Sequence, residues 1–387
     1  MSNKKVALSV FMIAFAFGLN ITGIMPVLGV LNENYQSQGT SAVQLLQTIP
    51  YVLLIIGSLL IGWLTTRLSK KTIAAIGLFI IGLCGVMPFF IKDYSFMFTT
   101  RLLIGFGFGI VSPINAAIIA EFFKAEERAA YIGIHVVGMG FGSMVSNLLG
   151  GILAGLGYRY YFLVYVIAFV SMAGIIILLP HTPPVSEAKE KTMKLNGKVY
   201  IISVLSFLHT LFITSYSTNI GIYVLEKISS NTAVTGVVTA INAAFALIIG
   251  AVFAKISKIF HKFTLPFAVL LAASGYASIL FIPGLTGVYF GSALCGMSLS
   301  CFMAQATYII SIIVDEKAVA KASGIFAVIG GIGGLISPII IKYLSEGFLK
   351  KNSAANQFII SLIGMAVLCV ITFVFSQKQS NRPKEMK

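Results

Sequence analysis

The amino-acid sequence predicts an all-α membrane protein with twelve transmembrane helices, arranged as two similar six-helix bundles. Three observations support this fold class. Of the 387 residues, 58% are hydrophobic and only 10% are charged, whereas about a quarter of the residues in a soluble domain are charged. The apolar residues form twelve long runs. The second half of the chain also repeats small residues of the first half at nearly constant spacing.

The apolar runs have the length of membrane spans. A hydrocarbon core of roughly 30 Å needs about 20 apolar residues in a helix, and a single soluble core stops growing before it could bury this much apolar surface. The loops between the runs are short, and none is long enough for a separate folded domain. The predicted spans are 6–28, 45–66, 73–91, 97–120, 130–155, 160–180, 198–224, 232–254, 264–283, 286–312, 321–344 and 356–376.

The net charge of +15 indicates membrane orientation and does not indicate nucleic-acid binding. With a cytoplasmic N-terminus, twenty Lys and Arg residues lie inside, six lie outside, and Arg101 lies within a span. This bias follows the positive-inside rule, and the basic loops would face anionic lipid. We therefore expect a multi-pass protein of the cytoplasmic membrane with both termini in the cytoplasm.

The longest predicted loop divides the chain almost in half, and the two halves resemble each other. A shift of 191 residues aligns Gly133 with Gly324, and many further small residues match at similar shifts. Two parallel repeats of this kind place a binding site at their interface, near the membrane midplane. The predicted domains are an N-terminal bundle 1–180, a cytoplasmic linker 181–197 and a C-terminal bundle with a short tail 198–387.

The loop between spans two and three carries the first recognisable motif. Its residues, Gly62-Trp-Leu-Thr-Thr-Arg67-Leu-Ser-Lys70-Lys71, resemble the loop signature of the major facilitator superfamily, G-x-L-a-D-r-x-G-r-k. Thr66 stands at the acidic position and Ser69 at the second glycine. The resemblance implies a gating role for the matching residues, but the acidic residue that helps to latch the family's cytoplasmic gate is missing. A positive-inside turn would also explain the basic residues.

Span four opens with a second motif. Arg101-x-x-x-Gly105-x-Gly107-x-Gly109 is similar to the superfamily's R-x-x-x-G-x-g. An arginine inside a span costs a few kcal/mol unless it faces a cavity or a partner, so Arg101 is a candidate for substrate binding or coupling. The alternative is an anchor that snorkels to the outer edge.

Span five carries a third motif. Its small residues resemble the fifth-helix signature of antiporters in the same superfamily, G-x8-G-x3-G-P-x2-G-G, although Ser146-Asn147 replaces the Gly-Pro. Small residues on one face let helices approach closely, so generic tight packing is the alternative. The matching residues are Gly133, Gly142, Asn147, Gly150 and Gly151. The resemblance covers the whole chain and implies a drug/proton antiporter type of transporter, with alternating access by rocking of two bundles.

Polar residues within the spans are the candidates for coupling and substrate contact. None of the twelve acidic residues lies near the centre of a span, whereas His135 and His209 do lie in spans and imidazole titrates near neutral pH. For His135 a polar contact near the cytoplasmic end is the favoured interpretation, whereas His209, about halfway along span seven among polar neighbours, is the candidate for proton coupling. Tyr158, Tyr160 and Tyr161 are expected in an interfacial aromatic belt. A neutral polar pocket is expected from Asn20, Thr22, Asn115, Asn219, Asn242 and Gln305, together with Arg101 and His209.

The sequence favours a secondary active transporter over an enzyme. It has no phosphate-binding Gly-Lys loop, its four cysteines have no metal-ligand spacing, and we expect no cofactor. We expect proton-coupled efflux of small amphipathic compounds by a monomer. Uptake or exchange of organic anions through Arg101 is the second hypothesis, because a positively charged cavity disfavours cations. A non-transporting membrane sensor or scaffold is the third.

Overall fold

A computed structural model of the chain describes residues 3–19, 21–181, 183–184, 197–314 and 319–380. These residues form α-helices and short 3₁₀ helices, and no β-strand occurs among them. The α-helices are α1 (Asn3–Phe17), α2 (Leu28–Asn34), α3 (Thr40–Thr48), α4 (Pro50–Arg67), α5 (Lys70–Val86), α6 (Tyr94–Phe122), α7 (Ala125–Gly155), α8 (Val166–Leu178), α9 (Gly197–Lys227), α10 (Thr232–Phe260), α11 (Thr264–Phe281), α12 (Gly284–Ile313), α13 (Val319–Leu349) and α14 (Ala354–Ser380).

The helices confirm the predicted all-α membrane fold. Ten stretches of the described chain are long and apolar enough to cross a bilayer, and one of them, Thr232–Phe281, contains both α10 and α11. The remaining predicted span, 6–28, consists of α1 followed by the 3₁₀ helix Ile21–Val27. Each of the twelve predicted spans therefore has a helical counterpart.

The first span is interrupted where the sequence analysis expects one continuous helix. The break follows Gly18, where a Cβ would lie only 2.5 Å from the carbonyl oxygen of Met139 in α7. Pro26 lies in the 3₁₀ segment that follows, and proline has no backbone N–H to donate. The first span therefore consists of an α-helix that packs closely against α7 at Gly18 and a 3₁₀ segment that contains a proline.

The described residues group into two compact units. The first contains Met1–Lys191 and Val224–Ala240. In it α4 and α5 pack against α6, α1 packs against α7 and α8, and α5 also packs against α8. Its core is a continuous apolar cluster that includes the fully buried Ile13, Leu28 and Phe108. Most of the predicted linker 181–197 lies outside the described residues.

The second unit contains Thr192–Tyr223 and Ile241–Lys387. Its best-packed helix is α11, which contacts α12 and α14. A Cβ at Gly275 would lie 2.8 Å from the sulfur of Cys295 and 3.0 Å from the carbonyl of Gly291, so the backbones of α11 and α12 approach closely. All four cysteines are free thiols, and Cys84, Cys295 and Cys301 are buried.

Candidate functional site

Arg101 lies in the interior of the first unit. Its side chain is 1% exposed, so it is not a snorkelling anchor. Its Nε donates to the carbonyl of Leu46 at 2.9 Å, and a terminal nitrogen donates to the Tyr165 hydroxyl at 2.7 Å. Leu46 belongs to α3 and Tyr165 ends the 3₁₀ helix Tyr158–Tyr165. Arg101 therefore connects α6 to two other elements through oxygen atoms that carry no formal charge.

The tyrosines beside Arg101 correct one expectation. Tyr161 was expected in an interfacial belt, but it is fully buried and its hydroxyl lies 3.4 Å from that of Tyr165. Tyr160 is 41% exposed, as a belt residue would be. The 3₁₀ geometry explains the difference, because neighbouring residues point to different sides of the turn.

The glycines that follow Arg101 bring α6 against two neighbours. A Cβ at Gly105 would overlap the carbonyl of Pro50, and one at Gly109 would overlap the carbonyl of Leu54, both in α4. A Cβ at Gly107 would lie 2.8 Å from the carbonyl of Gly77 in α5. The small residues of this motif thus allow close helix packing, and they position Arg101.

A second cluster in this unit joins the loop between spans one and two to the loops that follow spans three and five. The Tyr35 hydroxyl donates to the carbonyl of Lys92 at 2.8 Å and lies 3.3 Å from the Tyr158 hydroxyl. Burial and the contact with Tyr158 raise the pKa of Tyr35 well above its usual value. Arg159 donates to the carbonyl of Phe89 from Nε at 2.8 Å. These contacts fasten the three loops to one another.

Asn115 and His135 form a polar contact between α6 and α7. Nδ2 of Asn115 is 3.1 Å from the carbonyl oxygen of Val10 and 2.7 Å from Nδ1 of His135. A carbonyl oxygen only accepts hydrogen bonds, so Nδ2 must be the donor and Nδ1 of His135 must accept. The imidazole is then neutral, with its proton on Nε2. The same amide also holds α1, because Val10 lies there.

The glycine motif of α7 divides into packed and open positions. A Cβ at Gly142 would overlap the carbonyl of Phe15 in α1, and one at Gly150 would lie 2.9 Å from the ring of Tyr161. Gly133 differs from the expectation for this motif, since a Cβ there would meet nothing within 4 Å. Only the later glycines of the motif therefore make close helix contacts.

Gly151 of α7 packs directly against Gly236 of α10. A Cβ at Gly151 would lie 2.6 Å from Cα of Gly236, and one at Gly236 would lie 2.9 Å from the carbonyl of Asn147. Thr232 donates its hydroxyl proton to the carbonyl of Gly151 at 3.0 Å. Asn147 is 2% exposed, and its Oδ1 has no hydrogen-bond partner in the described part of the chain. The small residues here let the helix backbones touch.

The loop motif between α4 and α5 contains one ion pair. Nζ of Lys70 lies 2.7 Å from a carboxylate oxygen of Glu121, at the end of α6. Ser69 caps α5 by accepting from the N–H of Thr72 at 3.1 Å. Arg67 lies 4.8 Å above the ring of Trp63. Gly62 has open space around it, and Lys71 is half-buried.

Lys70→Ala should therefore affect the protein more than Lys71→Ala. An ion pair of this exposure is worth about 0.5–1 kcal/mol, and it joins α5 to α6. We expect Lys70→Ala and Glu121→Gln each to lower the thermal midpoint slightly. The variant that carries both substitutions should have a thermal midpoint no lower than that of either single variant. Lys71→Ala is the matched control. Equal losses in both lysine variants would show that the pair has no special role.

The second unit contains a run of polar residues in α9. His209 is fully buried, its Nε2 lies 3.1 Å from the Ser298 hydroxyl, and its ring stacks on Phe302 at 4.0 Å. Nδ1 of His209 has no partner among the described residues. Ten residues later, Nδ2 of Asn219 donates to Oε1 of Gln357 in α14 at 2.8 Å. His209 and Asn219 thus contact different helices.

Tyr276 of α11 contacts the backbone of α9 between these two residues. Its hydroxyl accepts from the N–H of Tyr216 at 3.0 Å and donates to the carbonyl of Phe212 at 2.6 Å. In a regular α-helix the N–H of Tyr216 would donate to the carbonyl of Phe212, four residues earlier. A side chain inserted between two such groups is a recognised cause of helix kinks. Neither Tyr276 nor Gln357 could be predicted from the sequence as a partner of α9, since nothing in their spacing relates them to that helix.

Two of the remaining candidate residues make hydrogen bonds within the second unit. Nδ2 of Asn242 donates to the carbonyl of Ser292 at 2.9 Å. Gln305 accepts from the Ser257 hydroxyl at 3.2 Å near the end of α10. Asn20 and the side chain of Thr22 lie outside the described residues.

An apolar groove of about 330 Å³ lies between α10 and α12. Its wall is formed by aromatic and aliphatic side chains with two hydroxyls, and Phe245 and Phe290 are 38% and 60% exposed. The lining residues are Ile241, Phe245, Thr286, Tyr289, Phe290 and Ala293. Such a surface suits an apolar or aromatic molecule.

Comparison with known proteins identifies the family. The model of the Major Facilitator Superfamily matches residues 10–202 and again 202–386. The chain belongs to the Major Facilitator Superfamily. Members of this superfamily are membrane transporters. The chain is therefore a multi-pass membrane transporter of small molecules. Its family and fold are those of transporters, which are not enzymes.

Individual relatives of this superfamily member are distant. Quinolone resistance protein NorA of Staphylococcus aureus (strain MSSA476) is 23% identical over 397 aligned positions, which cover 99% of both chains. Sphingosine-1-phosphate transporter SPNS2 of Danio rerio is 28% identical over 173 residues, which are 43% of this chain and 34% of that protein.

Solved structures agree on the fold. A bacterial homolog of the human lysosomal transporter Spinster, inward-facing and unoccupied, gives a TM-score of 0.78 at 13% identity and covers 100% of both chains. The nucleoside transporter NupG gives a TM-score of 0.80 at 12% identity, over 95% of this chain and 99% of the other. At such low identity the likeness concerns the fold alone.

Proposed function

We propose that this transporter exports small amphipathic compounds and is driven by the proton gradient. The observation that carries the proposal is the similarity to a quinolone resistance protein along 99% of both chains. The partial match to a sphingosine-1-phosphate transporter agrees with an amphipathic substrate. We also propose the cytoplasmic membrane as its location, with both termini in the cytoplasm and two bundles at 1–180 and 198–387.

The composition of the spans supports a neutral or weakly basic substrate. No acidic residue lies near the centre of a predicted span, so a fixed dication would find no buried carboxylate there. The aromatic groove beside Phe245 and Phe290 could take up an apolar ring system. The buried hydroxyl and amide groups of α9 provide polar contacts of the kind that fix a ligand's orientation.

His135 is the proposed proton-binding group. Protonation would add an N–H at Nδ1, which already faces the NH₂ group of Asn115 at 2.7 Å. Two donors cannot share this contact, so the Asn115 amide would have to turn and release the carbonyl of Val10. Proton binding would thereby loosen α1 from α6. His209 is less suited to this role, because its side chain is fully buried and stacked on Phe302.

The organic-anion hypothesis has less support. It assigns Arg101 to the substrate, but the Leu46 carbonyl and the Tyr165 hydroxyl already engage this guanidinium inside the first unit. An anion would have to replace these oxygen atoms in a buried position. We therefore propose Arg101 as a positioning residue that holds α3 and the 3₁₀ helix Tyr158–Tyr165 against α6.

Proton flux in proteoliposomes with a trapped pH dye tests the proposal. Lipophilic cations and neutral amphiphiles should each trigger proton movement, whereas organic anions should not. In His135→Gln, substrate-driven proton movement should disappear, because glutamine can still accept from Asn115 through Oε1 but cannot bind a proton. His181→Gln is the matched control, since His181 is exposed and lies beyond the sixth span.

One result would contradict this function, and another would contradict the role of His135. A response to organic anions alone, lost in Arg101→Ala, would support the anion carrier. Unchanged proton coupling in His135→Gln would remove His135 from the coupling step and leave export itself to be judged from substrate flux.

A further inference from the structure

A polar cavity lies in the second unit, where α10 ends and α11 begins. It has a volume of about 270 Å³ and lies between the ends of α10, α11, α12 and α14. Its polar lining consists of Ser257, His261, Lys262, Gln305, Tyr308 and Ser376. None of these residues belongs to the groove beside Phe245. In the predicted orientation the cavity lies on the cytoplasmic side of the membrane.

The lining residues favour an anion with several oxygen atoms. Lys262 supplies a positive charge, and hydroxyl and amide groups also line the cavity, whereas none of the described lining residues is a carboxylate. Ser257 donates to Oε1 of Gln305, so the NH₂ group of Gln305 is left to face another acceptor. Gln305 is only 5% exposed. Ammonium, amide and hydroxyl donors around one space match the acceptors of a phosphate group.

The backbone at the cavity is held in an uncommon conformation. His261 has φ +46°, a region that non-glycine residues seldom adopt. The hydroxyl of Thr264 donates to the carbonyl of His261 at 2.7 Å and holds the turn. This turn places His261 and Lys262 at the mouth of the cavity instead of continuing the helix. Such a conformation persists where the surroundings determine it, and it often marks functional positions.

The cavity also has an apolar side. Leu265 and Ile309 line it, and both are buried. Tyr308 and Ile312 at its edge are 49% and 62% exposed, which is the arrangement expected where a membrane protein meets lipid. A polar interior with a basic mouth, beside an apolar rim, fits a headgroup with attached acyl chains better than a free ion. Basic pockets between helices on the cytoplasmic side are known to suit anionic headgroups.

We propose that this cavity binds the phosphate headgroup of an anionic phospholipid from the cytoplasmic leaflet. Lys262 forms an ion pair with the phosphate, and Gln305 and Tyr308 donate hydrogen bonds to it. The acyl chains extend from the cavity along Ile312. The bound lipid would fasten the junction of α10 and α11 to α12. This role is independent of the exported substrate.

Thermal unfolding of the purified full chain in detergent tests the proposal. The probes are phosphatidylglycerol, phosphatidylcholine and inorganic phosphate, each titrated in about 1 M NaCl, where the Debye length is about 3 Å and general surface attraction is screened. Phosphatidylglycerol should raise the midpoint in a saturable way, and the other two should not. Lys262→Gln should weaken its apparent Kd by about fivefold or more. Tyr308→Phe should weaken it less.

Lys258→Gln is the matched control. Lys258 is an exposed lysine four residues earlier that does not line the cavity, so its variant should keep the wild-type Kd. Equal losses in the two lysine variants would overturn the proposal, since general charge would then explain binding. Equal stabilisation by inorganic phosphate would replace the lipid with a soluble ligand, and equal stabilisation by phosphatidylcholine would show that the lysine does not select an anionic headgroup.

Discussion

Arg101→Ala is expected to destabilise the first unit by about 3 kcal/mol and to abolish transport. The variant removes a buried guanidinium and leaves the Leu46 carbonyl and the Tyr165 hydroxyl without its donors. Hydrogen bonds to a charged group are worth about 1.5–3 kcal/mol each, and a buried acceptor left unpaired adds its desolvation cost. The loss should appear as a lower thermal midpoint and as no substrate flux in proteoliposomes.

Two further variants separate the contributions of charge and geometry. Arg101→Lys keeps the charge, but an ammonium group cannot reproduce the planar fork that reaches Leu46 and Tyr165 together, so most of the loss should remain. Tyr165→Phe removes one acceptor and should cost about 1 to 2 kcal/mol. A thermal midpoint for Arg101→Ala equal to that of the wild type would refute the positioning role.

Arg159→Ala provides the matched control for an arginine that also contacts a backbone carbonyl. Arg159 bonds to the carbonyl of Phe89 but is only half-buried, so water can satisfy that carbonyl after truncation. We expect a loss well below that of Arg101→Ala. Transport that fails in a stable Arg101→Ala protein, with normal stability in both variants, would instead favour a direct role for Arg101 in substrate binding.

The membrane fold could be predicted from the sequence because its signal is local. A span needs about 20 consecutive apolar residues, and each such run can be read without knowledge of its neighbours. The close approach of Gly18 to Met139 could not be predicted, because the two residues lie more than a hundred positions apart. The glycines of α6 could be recognised as a motif, but their contacts with Pro50 and Leu54 required the structure.

The partners of the candidate site residues were beyond the sequence for the same reason. Arg101 could be singled out because a charge in a span is costly, yet nothing in the sequence pointed to Tyr165, 64 residues later. The same holds for Asn219 and Gln357, which lie 138 residues apart. Polar residues in spans were therefore found as single candidates, and their hydrogen-bond partners required the structure.

Gly142→Ala and Gly133→Ala are expected to change stability in opposite directions, although both lie in α7. At Gly142 a Cβ would overlap the carbonyl of Phe15, and overpacking of this kind costs about 1–3 kcal/mol. The upper part of this range applies, because a backbone carbonyl has no rotamer with which to move aside. At Gly133 a Cβ meets nothing within 4 Å, so the only effect is the better helix propensity of alanine, up to about 1 kcal/mol.

Thermal midpoints of the two purified variants, compared with the wild type, measure the difference. Gly142→Ala should unfold at a lower temperature and lose transport, since α1 can no longer lie against α7. Gly133→Ala should unfold at the same or a higher temperature and keep transport. If the glycine motif of α7 acted as a unit, the two substitutions would lower the thermal midpoint and transport by similar amounts. Equal destabilisation would therefore support a shared role for the motif and contradict the packing geometry described above, whereas opposite signs would show that the distance to Phe15 decides which glycine α7 requires.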